Sequence, residues 1–124
     1  MDQQYNEIMR LSADLAERCR EGLEQIKAKL NEGGLEDTMA YFNHIANSFY
    51  NILESIQPLL GELSPNELEF RSKSLHEAFG AAVKAYEAKD RDHVLEVMQF
   101  TLIPAYNKWQ GELERCFRPY IEVN

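Results

Sequence analysis

The sequence predicts an all-α protein: an antiparallel up-down-up-down four-helix bundle with its fourth helix kinked at Pro104. Three observations predict it. Apolar residues recur at helical spacing through four segments. Short breaks carrying Gly, Pro or clustered polar residues separate those segments. No stretch of useful length alternates polar and apolar residues, and no Asn-Gly or Asp-Gly pair marks a hairpin. A chain of 124 residues, 44% hydrophobic, is long enough to bury its own core, so residues 1–124 are expected to form one helical domain.

In the first segment the stripe is Tyr5, Ile8, Met9, Leu15, Ala16, Cys19, Leu23, Ile26 and Leu30. It ends at Asn31–Gly34, where two glycines supply the left-handed backbone that a tight helix-to-helix connection needs. The second helix should start near Leu35 or Glu36, with Leu35, Met39, Phe42, Ile45, Ala46, Phe49, Ile52, Leu53 and Ile56 inward. Pro58 would clash with the carbonyl of Glu54 inside a helix, so the regular helix should end near Gln57 or kink there. The third start is signed by Leu63–Leu68, LSPNEL: Ser64 as cap, Pro65 in the first helical position, Glu67 closing a capping box, and Leu63 with Leu68 as a hydrophobic staple. Its inward face is Leu68, Ser72, Leu75, Phe79, Ala82, Val83 and Tyr86. Asp90 or Asp92 should cap the fourth helix, whose stripe reads Val94, Met98, Thr101, Ala105, Trp109, Leu113, Cys116, Phe117 and Tyr120. Pro104 should bend it near Phe100 to Ile103, and Pro119 should mark its end.

Composition bounds the partners. A net charge of −8 argues against nucleic acid and anionic membranes, because both are held by clustered Lys and Arg. No apolar run approaches the roughly 20 residues that cross a bilayer. The start, MDQQYNEIMRLSADL, lacks the basic, apolar, small-residue order of a signal peptide, so a cytoplasmic address is expected. Cys19 and Cys116 are too few for a disulfide framework and lack metal-ligand spacing. On the predicted bundle they differ in height by about 20 Å, beyond the reach of a disulfide, so both should be reduced core thiols.

Signatures of chemistry are missing. A carboxylate-bridged metal pair in a bundle needs Glu-x-x-His twice, whereas the three histidines are preceded three residues earlier by Tyr41, Lys73 and Asp90. Asp90-x-x-His93 sits at a predicted helix start, where capping is the commoner role. There is no Gly-x-Ser-x-Gly elbow and no phosphate-binding loop. Cys116 borders Arg115 and Arg118, which would lower a thiol pKa, but its expected burial acts the other way. Trp109 and the aromatic residues of the second and fourth helices read as core, and His76 as a solvated flank residue. No cofactor and no catalytic or metal-binding residue is assigned.

One segment departs from an ordinary surface. Thr38 to Leu53 holds no Asp, Glu, Lys or Arg, although the chain is 27% charged and a stretch of that length would ordinarily hold about four. At 100° per residue, the side opposite Phe42 carries Ala40, His44, Asn47, Asn51 and Ser55, flanked by Tyr41 and Tyr50. Interfaces lose charge and gain aromatics, whereas solvated helix faces gain Lys and Glu. This side is the candidate protein-interaction face, for a second copy in a homodimer or for another protein. The plainer possibilities are a wet polar face, or cover by the chain's own tail, Pro119 to Asn124.

From Asp90 the sequence runs DRDHVLEVMQFTLIPAYNKW to Trp109. This run resembles a pattern in small uncharacterised all-helical proteins of bacteria: an Asp, an acidic-apolar-aromatic run ending in Leu-Ile-Pro, then a Trp. Asp90, Glu96, Phe100, Leu102, Ile103, Pro104 and Trp109 match, while Gln99 and Thr101 stand where acids would be expected. The resemblance implies a bacterial cytosolic bundle and no activity. The chain therefore reads as a non-enzymatic cytoplasmic interaction module, an adaptor, chaperone-like or self-associating bundle. The alternative is a small-ligand binder or enzyme with a pocket at the Pro104 kink, using Glu96, Tyr106, His93 or Cys116.

Overall fold

The computed structural model describes residues 3–121. Gln3–Asn31 form α1 and Leu35–Ile56 form α2. Between them the chain reverses through a Schellman turn: Gly34 N–H donates to Lys29 O and Gly33 N–H to Leu30 O. Gly33 has φ of +101°, a conformation a Cβ would strain, and this is what the paired glycines supply. α2 stops at Ile56, and Gln57–Glu62 continue as a 3₁₀ turn with Pro58 at its start. The clash of that proline with a preceding carbonyl is thus absorbed by a change of helix type.

α3 spans Leu68–Glu87, three residues later than a cap at Ser64 implies, and the capping box does not form. Glu67 is the residue before the helix, and its N–H donates to Glu112 Oε2 at 2.6 Å. Its own carboxylate pairs with Arg71 at 3.3 Å. Asn66 closes the approach instead, its Oδ1 accepting from Leu68 N–H at 2.9 Å while its amide donates to Ser64 O. A carboxylate from a distant helix therefore takes the Glu67 N–H that the Ser64 hydroxyl would have accepted in a capping box, which no reading of LSPNEL alone could foresee.

The fourth rod has three parts: α4 (Arg91–Val97), a π-turn (Met98–Leu102) and α5 (Ile103–Ile121). Asp90 caps it, Oδ1 accepting from His93 N–H at 3.1 Å. In the π-turn Ile103 N–H donates to Met98 O, one residue further back than in an α-helix. Pro104 follows at once, so the irregularity foreseen near Phe100 to Ile103 takes this form. The wide turn also shifts the buried stripe. Val94, Met98, Leu102 and Tyr106 are buried at intervals of four, and Thr101 is exposed. A constant 3.6-residue period carried through the turn puts Thr101 inside and passes over Leu102, Ile103 and Tyr106. Pro119 does not end α5, which runs on to Ile121. Pro119 and Arg115 lie on an exposed side, where solvent has access to the carbonyl that the proline leaves without a donor.

The rods form an all-α four-helix bundle, and cross-links fix their directions. Thr38 meets Tyr86 while Tyr50 meets His76. Ala16 meets Tyr106 while Leu30 meets Arg91. Glu67 meets Glu112 while Ser72 meets Trp109. In each pair numbering rises on one rod as it falls on the other, so neighbours are antiparallel. The core is a continuous cluster with Phe42, Phe49, Phe79, Tyr106 and Trp109 at its centre. Phe49 stacks on Phe79 and meets the edge of Trp109, each at 5.1 Å between centroids. Cys19 and Cys116 are both buried and free. Among the described residues no helix is long and apolar enough to cross a membrane.

Candidate interaction face

α2 buries Phe42, Ile45, Phe49, Ile52 and Ile56 against the other rods, each 2% exposed or less. The opposite direction carries Ala40, His44, Asn47, Asn51 and Ser55, and every one of them is exposed. The sequence therefore identified the outer side of this helix correctly. Tyr41 and Tyr50 are 37% and 38% exposed and form its two shoulders. Tyr41 leans toward α1: a Cβ placed on Gly22 would fall 2.7 Å from the Tyr41 hydroxyl and 2.7 Å from Ile45 Cδ1. The glycine is what lets the two helices come this close. Tyr50 leans toward α3, its hydroxyl hydrogen-bonded to His76 Nδ1 and its ring edge-on to the imidazole at 5.7 Å. Burial raises the Tyr50 hydroxyl above its ordinary pKa.

Next to this face, between α2 and α3, lies a groove of about 330 Å³ lined by Met39, Phe42, Asn43, Val83 and Tyr86. Glu87 and Lys89 bring its only charges. Val83, expected in the core, is 38% exposed on its rim. The Phe42 and Tyr86 rings, 5.1 Å apart, fill the interior beneath and leave Val83 outside them. Sequence reading missed Asn43 and Val83 as surface partners of the uncharged face. The available signal was Asn43 itself, uncharged and off the buried stripe.

The chain's described tail does not cover this surface. Tyr120 lines a hollow with Ser64, Arg115 and Cys116, and Ile121 one with Ala13, Asp14 and Glu17 of α1. Residues 122–124 lie outside the described residues.

Beside Pro104 there is a second groove, of about 300 Å³, lined by Arg71, Ser74, Phe100, Thr101, Pro104 and Lys108. None of Glu96, His93, Tyr106 and Cys116 lines it. His93 and Glu96 are exposed on α4. Tyr106 is buried and donates to Ala16 O at 2.7 Å, and burial holds its hydroxyl far above the ordinary tyrosine range. Burial likewise raises the Cys19 thiol, with the neighbouring Tyr106 and Ser48 hydroxyls acting the other way. It raises Cys116 as well, with the Glu112 carboxylate adding to the rise and Arg115 opposing it. Both sulfurs are held in the thiol form, which is the poor nucleophile. Among the described residues no group of three or more His, Cys, Asp or Glu is placed to hold a metal ion.

Compared with known proteins, the chain matches over residues 7–112 the model of one family, described as a domain of unknown function (DUF8042). No curated protein and no solved structure matches it.

Proposed function

Because the chain belongs to this DUF8042 domain family, whose description carries no reaction, we propose from its surface that it is a non-enzymatic protein-interaction module. It docks the uncharged outer face of α2 against another protein surface, as an adaptor, a chaperone-like partner or a self-associating bundle. One observation carries the reading. Ala40, His44, Asn47, Asn51 and Ser55, with the shoulders Tyr41 and Tyr50, make a continuous exposed surface free of charge on a chain of net charge −8. A solvated helix face has no need to shed every Lys and Glu over four turns, whereas a face that is desolvated on binding does. The apolar groove alongside extends the surface and supports the same reading.

The setting we infer is the bacterial cytoplasm. Two buried free thiols support a reducing compartment, and the Asp90–Trp109 resemblance supports a bacterial source. Net negative charge favours proteins over nucleic acid or anionic lipid as partners. A ligand site built from Glu96, His93, Tyr106 and Cys116 has less support, because these residues do not converge.

The test is to charge the face. Asn47→Glu with Asn51→Lys alters two exposed residues, so the helix content and unfolding midpoint should hold while association is lost. Light scattering at several concentrations, with affinity capture from the native host, reads it. An unchanged mass together with unchanged captured partners overturns the proposal.

A further inference from the structure

The groove beside Pro104 lies on the other side of α3 from the uncharged face, and its chemistry is different. Its charged lining residues are Arg71 and Lys108, and it contains no carboxylate, on a chain with 21 acids against 13 bases. Lys108 is exposed and enters no ion pair among the described residues. Arg71 reaches Glu67 at 3.3 Å, but the Glu67 side chain is 62% exposed. A pair so wet is worth little, and an incoming carboxylate can replace Glu67 at small cost.

The apolar half of the groove is just as specific. Phe100, 70% exposed, and Phe70, 60% exposed, are the most open aromatic side chains among the described residues. Phe100 stands on the groove wall with Pro104, whereas Phe70 lines a separate hollow with Glu67 and Lys73 and lies beneath the Arg71 guanidinium, 5.3 Å from ring centroid to carbon. Phe100 belongs to the π-turn, the feature that rotates the following residues by one position. Such bulges recur at functional sites. Ser74 and Thr101 add hydroxyls that an extended backbone can bond.

We propose that this groove docks an acidic peptide segment of a partner protein, one carrying an apolar side chain next to its carboxylates. The apolar side chain packs on Phe100 and Pro104, and the carboxylates meet Lys108 and Arg71. Charge complementarity selects an acidic segment, and the mutual repulsion of two whole chains of net charge −8 selects a short segment of another protein over a second copy. Charge also selects it over nucleic acid because two cations on a net-negative body are too few to hold a phosphate backbone.

The proposal is independent of the α2 reading, and the test keeps the two apart. The ¹⁵N-labelled protein is titrated with the peptide Asp-Glu-Leu-Phe-Asp-Glu-Asp-Glu and its amide shifts are followed. Saturable shifts should concentrate at residues 70–74 and 100–108 and weaken as salt is raised. Lys108→Glu and Phe100→Ser should each raise the apparent Kd at least tenfold, and Lys108→Gln should raise it less. Both positions altered in these variants are exposed, and circular dichroism should show that the fold is kept. Asn47→Glu with Asn51→Lys should leave the peptide affinity within twofold. The proposal is overturned by shifts that do not saturate, or by an equal response to a peptide with Lys in place of every acid. Saturation by inorganic phosphate or oligothymidylate where the peptide gives none also overturns it, as an anion or nucleic-acid site.

Discussion

α2 has two seams, and they are built differently. Toward α1 the helices come close enough that Gly22 has no room for a side chain against Ile45 and Tyr41, and Ile26, Ile45 and Ile52 are almost wholly hidden. Toward α3 the contact is made by large rings, Phe42 on Phe79 at 5.8 Å and on Tyr86 at 5.1 Å. There a groove stays open above the rings. Small residues allow backbones to approach, whereas aromatic pairs hold them apart. The closed seam secures the helix to the bundle, and the open seam leaves surface beside the uncharged face.

The sharpest way to break the comparison is to remove one apolar side chain from each seam. Ile45→Ala empties a site that is 2% exposed, so it should destabilise the fold by about 3 kcal/mol, within the range for buried aliphatic truncations. Val83→Ala, on the groove rim at 38% exposure, should lose less than about 1 kcal/mol, since little area is removed from burial. Urea unfolding with both slopes held equal measures the two. Equal losses would mean that the α3 seam is as closed as the α1 seam, and that the groove is no standing feature.

A middle-sized effect lies at the inner end of the open seam. The single hydroxyl hydrogen of Thr38 goes to Leu35 O at 2.9 Å, so at the 2.8 Å contact Tyr86 is the donor and Thr38 Oγ1 the acceptor. Tyr86 is 3% exposed, so Thr38→Val leaves a buried hydroxyl without a partner, at a cost of about 1–2 kcal/mol. Adding Tyr86→Phe should recover part of that loss in a double-mutant cycle. A full loss in the double variant would show that the hydroxyls act separately.

How far the sequence foretold this molecule follows from which forces were local. Four amphipathic stripes, the glycine reversal and the Asp90 cap depend on neighbours within a few residues, and the structure keeps them. So does the outward direction of Ala40, His44, Asn47, Asn51 and Ser55, because 3.6-residue geometry alone sets it. The failures are non-local. Glu112 displaces the capping box by taking the Glu67 N–H from 45 residues away. The π-turn shifts Thr101 outward, and a proline signals that a helix must adjust without saying how. A hollow at Pro104 was foreseen, though not the residues that line it, and the groove between α2 and α3 was not, because both need the distance between two helices. The wall residues Phe100 and Val83 read as ordinary members of apolar segments.

The smallest effect tests the outer end of the open seam. Tyr50 and His76 join α2 to α3 by a hydroxyl–imidazole hydrogen bond and an edge-on ring contact, both at exposed positions. Water competes for both partners there, so Tyr50→Phe removes the hydrogen bond while keeping the ring, and should change stability by less than about 0.5 kcal/mol. Thr38 and Tyr86 hold the other end from within the core, where no water replaces the lost bond. The two polar ties of one seam are therefore unequal: one fixes α2 against α3, and the other yields. Amide exchange on Tyr50→Phe should then quicken around residues 47–53 and 76–80, and stay as it was around Thr38 and Tyr86. A loss above about 1 kcal/mol, or faster exchange at both ends together, would make the seam a single rigid unit, and the shoulder at Tyr50 would no longer be free to adjust to a partner.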